Sequence, residues 1–145
     1  MSIEIRPMTL DDYDAAHALW DRTDGVGLGP SDTREAIAAY LERNPGLSTV
    51  VVQDGQLVGA VLCGHDGRRG YLVHLALEPE LRGRGYARRI VQSCLDKLNE
   101  QNIPRCHIFV FRENQNGREF WQHIGWYPRD DLGIMSLDMD ERLNA

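Results

Sequence analysis

Within eight residues the chain places four arginines and two glycines, Arg82-Gly83-Arg84-Gly85-Tyr86-Ala87-Arg88-Arg89, between an apolar run and a helical pattern. Glycine lets a backbone approach an anion with no Cβ in the way. The first turn of a helix leaves N–H groups unpaired and carries about half a positive charge. A strand, a glycine loop and a helix start in that order make a phosphate cradle, here reinforced by arginine. Arg68 and Arg69 stand shortly before it in the sequence. The chain as a whole carries a formal charge of −6. A basic knot on an acidic chain suits a small polyanion such as a phosphorylated cofactor; a nucleic-acid surface would need a broad basic stripe, so no nucleic-acid partner is expected. By charge alone, a solvated helix start explains the knot equally well.

Two familiar cradles do not fit. The P-loop needs Gly-Lys before Ser or Thr, and the chain has no Gly-Lys pair. The dinucleotide fingerprint starts at Gly83-Arg84-Gly85 but meets Arg88 where its third glycine or alanine belongs. Cys63, Cys94 and Cys106 form no C-x-x-C, and the five histidines have no metal-ligand spacing, so reduced thiols and no metal are expected.

The elements that must position the loop follow from periodicity. With 145 residues, one domain is expected across the chain. Ile3 and Ile5 alternate with polar residues as a first strand; Thr9 and Asp12 have the spacing of a capping box, followed by Tyr13, Ala16, His17 and Trp20 at helical spacing. Asp24 to Pro30 reads as a flexible loop with four glycines and prolines, after which Asp32 or Ser31 caps a helix bearing Ile37, Tyr40 and Leu41. Two β-rich runs, Ser48 to Gln53 and Gln56 to Cys63, flank the hairpin signal Asp54-Gly55. Tyr71 to Leu77 is a further strand. A long amphipathic helix begins near Gly85, with Ala87, Ile90, Val91, Cys94, Leu95 and Leu98 on one stripe. Cys106 to Phe111 reads as a strand, Gly117 to Ile124 as a short helix, and Trp126 to Met139 as closing strand-like segments. The order predicts an α/β fold with a mixed sheet and helices on both faces. No apolar run approaches the roughly 18 residues of a membrane span. The opening Met-Ser-Ile-Glu-Ile-Arg lacks the order of a signal peptide, so a cytoplasmic protein without a membrane partner is expected.

Arg82-x-x-Gly85-x-Ala87, with its strand before and helix after, resembles the pyrophosphate-binding motif of the GNAT superfamily of N-acetyltransferases, and the resemblance runs from Ile3 to about Met139. It implies a mostly antiparallel sheet with a splayed central strand pair, acetyl-CoA as co-substrate, and an amine-bearing small molecule or protein as acceptor. Homodimers are common among such proteins. The strand Leu75-Ala76-Leu77 would pair its backbone with the pantetheine amides. The amides of Gly83, Arg84, Gly85, Tyr86, Ala87 and Arg88, together with Arg82, would hold the pyrophosphate, and Asn114 would contact the cofactor arm.

The resemblance breaks at the acid. Members commonly carry a tyrosine where this chain has Trp121, and an indole N–H donates hydrogen bonds without serving as an acid. Trp121 would stack on the pantetheine or wall off the thioester; a core aromatic is the competing reading. For the base, a glutamate found in some relatives is Phe109 here. Strand alternation would put His74, Ala76 and Glu78 on the acceptor side and Leu75 and Leu77 on the other. His74 is therefore the first candidate base, since imidazole titrates in the working pH range, against a structural histidine. Glu78 comes second; Glu113 and Tyr127 follow. A non-catalytic acyl-CoA sensor, or an interaction domain using the fold alone, are the rival functions.

Overall fold

The computed structural model describes residues 2–141. The chain forms two compact units, one through Phe109 and a second from Val110 onward. The first holds a five-stranded sheet in the order of the chain: β1 (Ile3–Pro7), β2 (Thr49–Gln53), β3 (Gln56–His65), β4 (Gly70–Leu77) and β5 (Cys106–Ile108). Every neighbouring pair is antiparallel except β4 and β5, which run parallel. Asp54-Gly55 turns β2 into β3 with both residues at positive φ, as a two-residue hairpin of primed type requires.

Strand alternation distributes β2 between two layers. Val50 joins a core with Ala16, Leu19 and Trp20 of α1 (Tyr13–Asp21) and Ile37 of α2 (Arg34–Arg43). Thr49 points the other way, to Cys94 of α3 (Tyr86–Glu100), with Oγ1 3.7 Å from Sγ. The stripe Ile90, Val91, Cys94 and Leu98 is buried, so α3 covers that face. Cys63 and Cys94 are fully buried and Cys106 half-buried, all three as free thiols. None of the helices among the described residues is long and apolar enough to cross a membrane.

Two expectations about local structure change. The N-cap of α2 is Thr33, whose hydroxyl accepts from the Ala36 N–H at 3.1 Å. Asp32 closes the short 3-10 turn Pro30–Asp32 and turns its side chain inward. The strand expected over Cys106 to Phe111 stops at Ile108, because its ladder with β4 covers only Gly70 to Leu72.

In the second unit, α4 (Gln115–His123) is capped by Asn114. No strand forms among described residues after it: Trp126 to Met139 lacks ladder pairing, and Leu132, Ile134, Met135, Leu137 and Met139 are exposed. Pro128, Asp130, Asp131 and Gly133 interrupt this stretch with residues that disfavour strands.

The entry to α1 carries an acid-sensitive contact. Arg6 donates both guanidinium nitrogens to Asp12, each at 2.8 Å, and the Thr9 N–H adds a bond at 2.9 Å. The Arg6 hydrogen bond holds the Asp12 carboxyl below the usual carboxylate range. A depressed folded value means the stabilisation is complete above the unfolded aspartate value of about 3.9 and drains away as pH falls through the folded one. Asp12→Asn should cost about 1–3 kcal/mol at neutral pH and flatten the acid limb of a plot of Tm against pH. An unchanged acid limb would show that the Arg6 pair contributes nothing.

Candidate active site

The basic loop lies in the first unit where β4 ends. A short 3-10 turn, Pro79–Leu81, carries the chain out of the sheet, and Gly85 is the N-cap of α3. Gly83 and Gly85 take φ of +76° and +85°, and a Cβ built on either would meet no atom within 4 Å. The helix begins its bonding at Arg89, whose N–H reaches the Gly85 carbonyl at 3.1 Å. The N–H groups of Tyr86, Ala87 and Arg88 precede that bond and have no helical partner. Arg82, Arg84 and Arg88 are exposed, and among the described residues none of them pairs with a carboxylate. Arg82 is aimed by its Nε, which donates to the Leu77 carbonyl at 3.3 Å. Open left-handed glycines, unpaired amides and unneutralised guanidiniums at a helix start fit the pyrophosphate of a coenzyme A. Arg68 and Arg69 do not join them. They sit in the turn before β4, their N–H groups tied to Asp66 at 2.8 Å each, with the eight residues of β4 in between, a span of about 26 Å.

Beside the loop, β4 offers an open edge. Its ladder with β5 ends at Leu72 and Ile108, and from Val73 to Leu77 the two strands part. The Glu78 N–H bonds the Val58 carbonyl of β3 at 2.8 Å. Alternation therefore turns the backbone groups of Leu77 and Leu75 to the open side, where an extended amide-bearing chain can pair.

Alternation is broken between Val73 and His74, which face the same layer, while His74 keeps the face it shares with Ala76. Between the pairs Ala60–Ala76 and Leu62–Val73, the single residue Val61 faces both His74 and Leu75, which is a β-bulge. His74 takes φ of +57° there, a conformation few non-glycine residues adopt. Val73 and Ala76 both meet the α1–α2 layer across the bulge, and so does His74. Its ring tilts against Trp20 at 5.3 Å, and its Nε2 lies 2.8 Å from Asp32 Oδ1. The other Asp32 oxygen accepts from the Gly29 N–H at 3.0 Å, and Tyr13 donates its hydroxyl to the Asp32 carbonyl at 2.6 Å. Burial pushes the Asp32 carboxyl up, but hydrogen bonds from His74 and Gly29 with the charges of His74 and His17 outweigh it and hold it low. The loop from Asp24 to Pro30 is pinned as well as glycine-rich, since Val26 and Leu28 pack on the core.

The other sequence candidates are placed as follows. Glu78 is ion-paired with Arg22, the residue that follows α1. Both line a cavity of about 680 Å³ with Gln53, Gln56, Leu57 and Glu80, which excludes His74 and the arginine loop. Asn114 uses its Oδ1 to accept from the Gly117 N–H at 3.0 Å, capping α4. Trp121 stands edge-on to Trp126, with ring centroids 4.8 Å apart at 63°, and also meets Phe120. Phe109 is exposed and stacks on Tyr71; Glu113 and Tyr127 are exposed. Sequence reasoning missed Asp32 and Arg22 as partners of the two candidate bases. A partner 42 residues away leaves no local pattern.

The sequence profile described as the Acetyltransferase (GNAT) family matches residues 13–126. An acetyltransferase of Pectobacterium atrosepticum is 35% identical over 113 residues, which are 77% of this chain and 79% of that protein. Among solved structures, the PaiA N-acetyltransferase of Thermoplasma acidophilum in complex with coenzyme A superposes with a TM-score of 0.77. It is 21% identical, covering 90% of this chain and 92% of its own. A ribosomal-protein-alanine N-acetyltransferase of Brucella melitensis biovar Abortus gives 0.71 at 18% identity, over 94% and 100%.

Proposed function

Because the chain belongs to the acetyltransferase (GNAT) family, we propose that it transfers an acetyl group from acetyl-CoA directly to a primary amine of a small molecule or protein. The observation that carries this reading is the loop at the start of α3, with its left-handed glycines and unpaired arginines beside the open edge of β4. When bound, acetyl-CoA supplies an activated thioester. Arg82, Arg84 and Arg88, with the amides of residues 83 to 88, hold its pyrophosphate. The outward backbone groups of Leu75 and Leu77 align the pantetheine and offer N–H donors to the acyl carbonyl. His74 takes the proton that the amine must lose. A thiolate leaves readily enough to need no acid, which suits Trp121 in place of a tyrosine. The net charge of −6 favours a cationic acceptor, and three unpaired cysteines fit a reducing, cytoplasmic setting.

The first test is binding. At acetyl-CoA about 100 times Kd, linkage adds roughly 2.7 kcal/mol, a rise in Tm of roughly 5–10 °C for a domain of this size. A flat melting curve in millimolar acetyl-CoA, on folded protein, would remove the reading at its base. Turnover is then sought by mass spectrometry across polyamines, amino acids, aminoglycosides and alanine-initiated peptides. Binding without any turnover would favour the acyl-CoA sensor, the second reading, which the indole at Trp121 supports.

A further inference from the structure

We propose that Asp32 is a positioning residue: it fixes His74 in the Nε2–H tautomer, so that Nδ1 is the nitrogen that receives the amine proton. This inference rests on the reading of His74 as base and deepens it. A carboxylate can only accept hydrogen bonds, so the 2.8 Å contact between Asp32 Oδ1 and Nε2 requires the hydrogen to sit on Nε2. The neutral ring then carries its lone pair on Nδ1, and no hydrogen bond to Nδ1 occurs among the described residues.

Apart from His74, Asp32 is itself held from two sides. Its Oδ2 accepts from the Gly29 N–H and its carbonyl accepts from Tyr13 of α1. Its side chain, like that of His74, is about nine-tenths buried, at 10% and 12% exposure. The ring of His74 rests on Trp20, and the bulge sets its backbone at positive φ. Other charged or titratable groups acting on this cluster are Asp14 and His17 from α1 and Arg34 and Glu35 from α2. The pair spans two elements that converge on one point: the turn before α2, and the bulge in the strand whose open edge is assigned to the thioester arm. In the step that follows, the amine nitrogen bonds to the acyl carbon and the carbon–sulfur bond breaks. The amine proton passes to His74 Nδ1, and CoA departs as thiolate.

The test has two arms on the full chain. Imidazole nitrogen NMR, with the His74 signals assigned by their loss in His74→Ala, should show a pyrrole-like Nε2 and a pyridine-like Nδ1 in the free protein. That pattern should become a tautomer mixture in Asp32→Ala and in the near-isosteric Asp32→Asn. Both variants should lose roughly 10²-fold or more in kcat with an acceptor from the amine panel, while KM for acetyl-CoA stays within about twofold, as expected for lost proton transfer without lost binding. A retained acetyl-CoA melting shift certifies that each variant is folded. An Nδ1–H tautomer in the wild type would overturn the proposal. Full turnover in Asp32→Asn, alongside a slow His74→Ala, would also overturn it and leave the base reading standing. Full turnover in His74→Ala would instead remove the base reading itself.

Discussion

Gly85→Val is expected to abolish acetyl-CoA binding while leaving the domain folded. The position sits at φ +85° as the N-cap of α3. A β-branched residue there is strained by about 1–2 kcal/mol, a modest fraction of the stability of a domain this size. Beyond the adjoining backbone, no protein atom lies within 4 Å of the added Cβ, so the position opens on free space. The new side chain projects into the space from which a pyrophosphate must reach the amides of Tyr86, Ala87 and Arg88. Affinity should fall more than about 10²-fold, the loss of at least two charge-assisted hydrogen bonds. Circular dichroism and a melting curve report the fold, and the acetyl-CoA melting shift reports binding. A folded variant that still shifts would place the anion elsewhere on the molecule.

His74→Ala should lower kcat by roughly 10²-fold or more, within the usual contribution of a general base, with little change in the affinity for acetyl-CoA. The left-handed backbone at this position complicates alanine, which is itself strained there. His74→Asn is the better-behaved companion, because asparagine enters that region more readily. If both variants are slow and both bind acetyl-CoA normally, the loss belongs to the imidazole and not to the bulge. Normal turnover of both variants across about pH 6 to 9 would return His74 to a packing role. Glu78, paired with Arg22, would then have to be tested as base with that pair broken.

What the sequence revealed and what it concealed divide along a physical line. The arginine loop was legible because its chemistry is local: glycine, charge and helix start are contiguous, and the structure places all three where the spacing implies. The hairpin at Asp54-Gly55 and the buried stripe of α3 were legible for the same reason. The bulge at His74 was not, since an extra residue in one strand is defined by its partner, and nothing within Tyr71 to Leu77 marks it. His74 lies on the face it shares with Ala76, as alternation gave, but its partner Asp32 is 42 residues away and left no local trace. Asp32 and Ser31 looked like helix caps because aspartate and serine are favoured N-cap residues, yet the helix starts at Arg34 and Thr33, immediately before it, is the cap. At the C-terminal end, apolar residues from Trp126 to Met139 suggested strands, but a strand exists only with a ladder partner, and none pairs with them among the described residues.

The seating of the cysteines has a practical consequence for the bench. Burial pushes the Cys106 thiol up to about 12; the hydrogen bond between Cys63 and Cys94 raises the first and lowers the second, and both of those sulfurs are fully buried, out of reach of a reagent. At neutral pH the folded chain therefore presents little reactive sulfur, since the thiolate is the form that attacks disulfides. A chromogenic disulfide added to the reaction would report the departing coenzyme and almost nothing from the enzyme. That permits a continuous optical assay at high protein concentration, the regime needed to find a slow turnover with an unfamiliar amine.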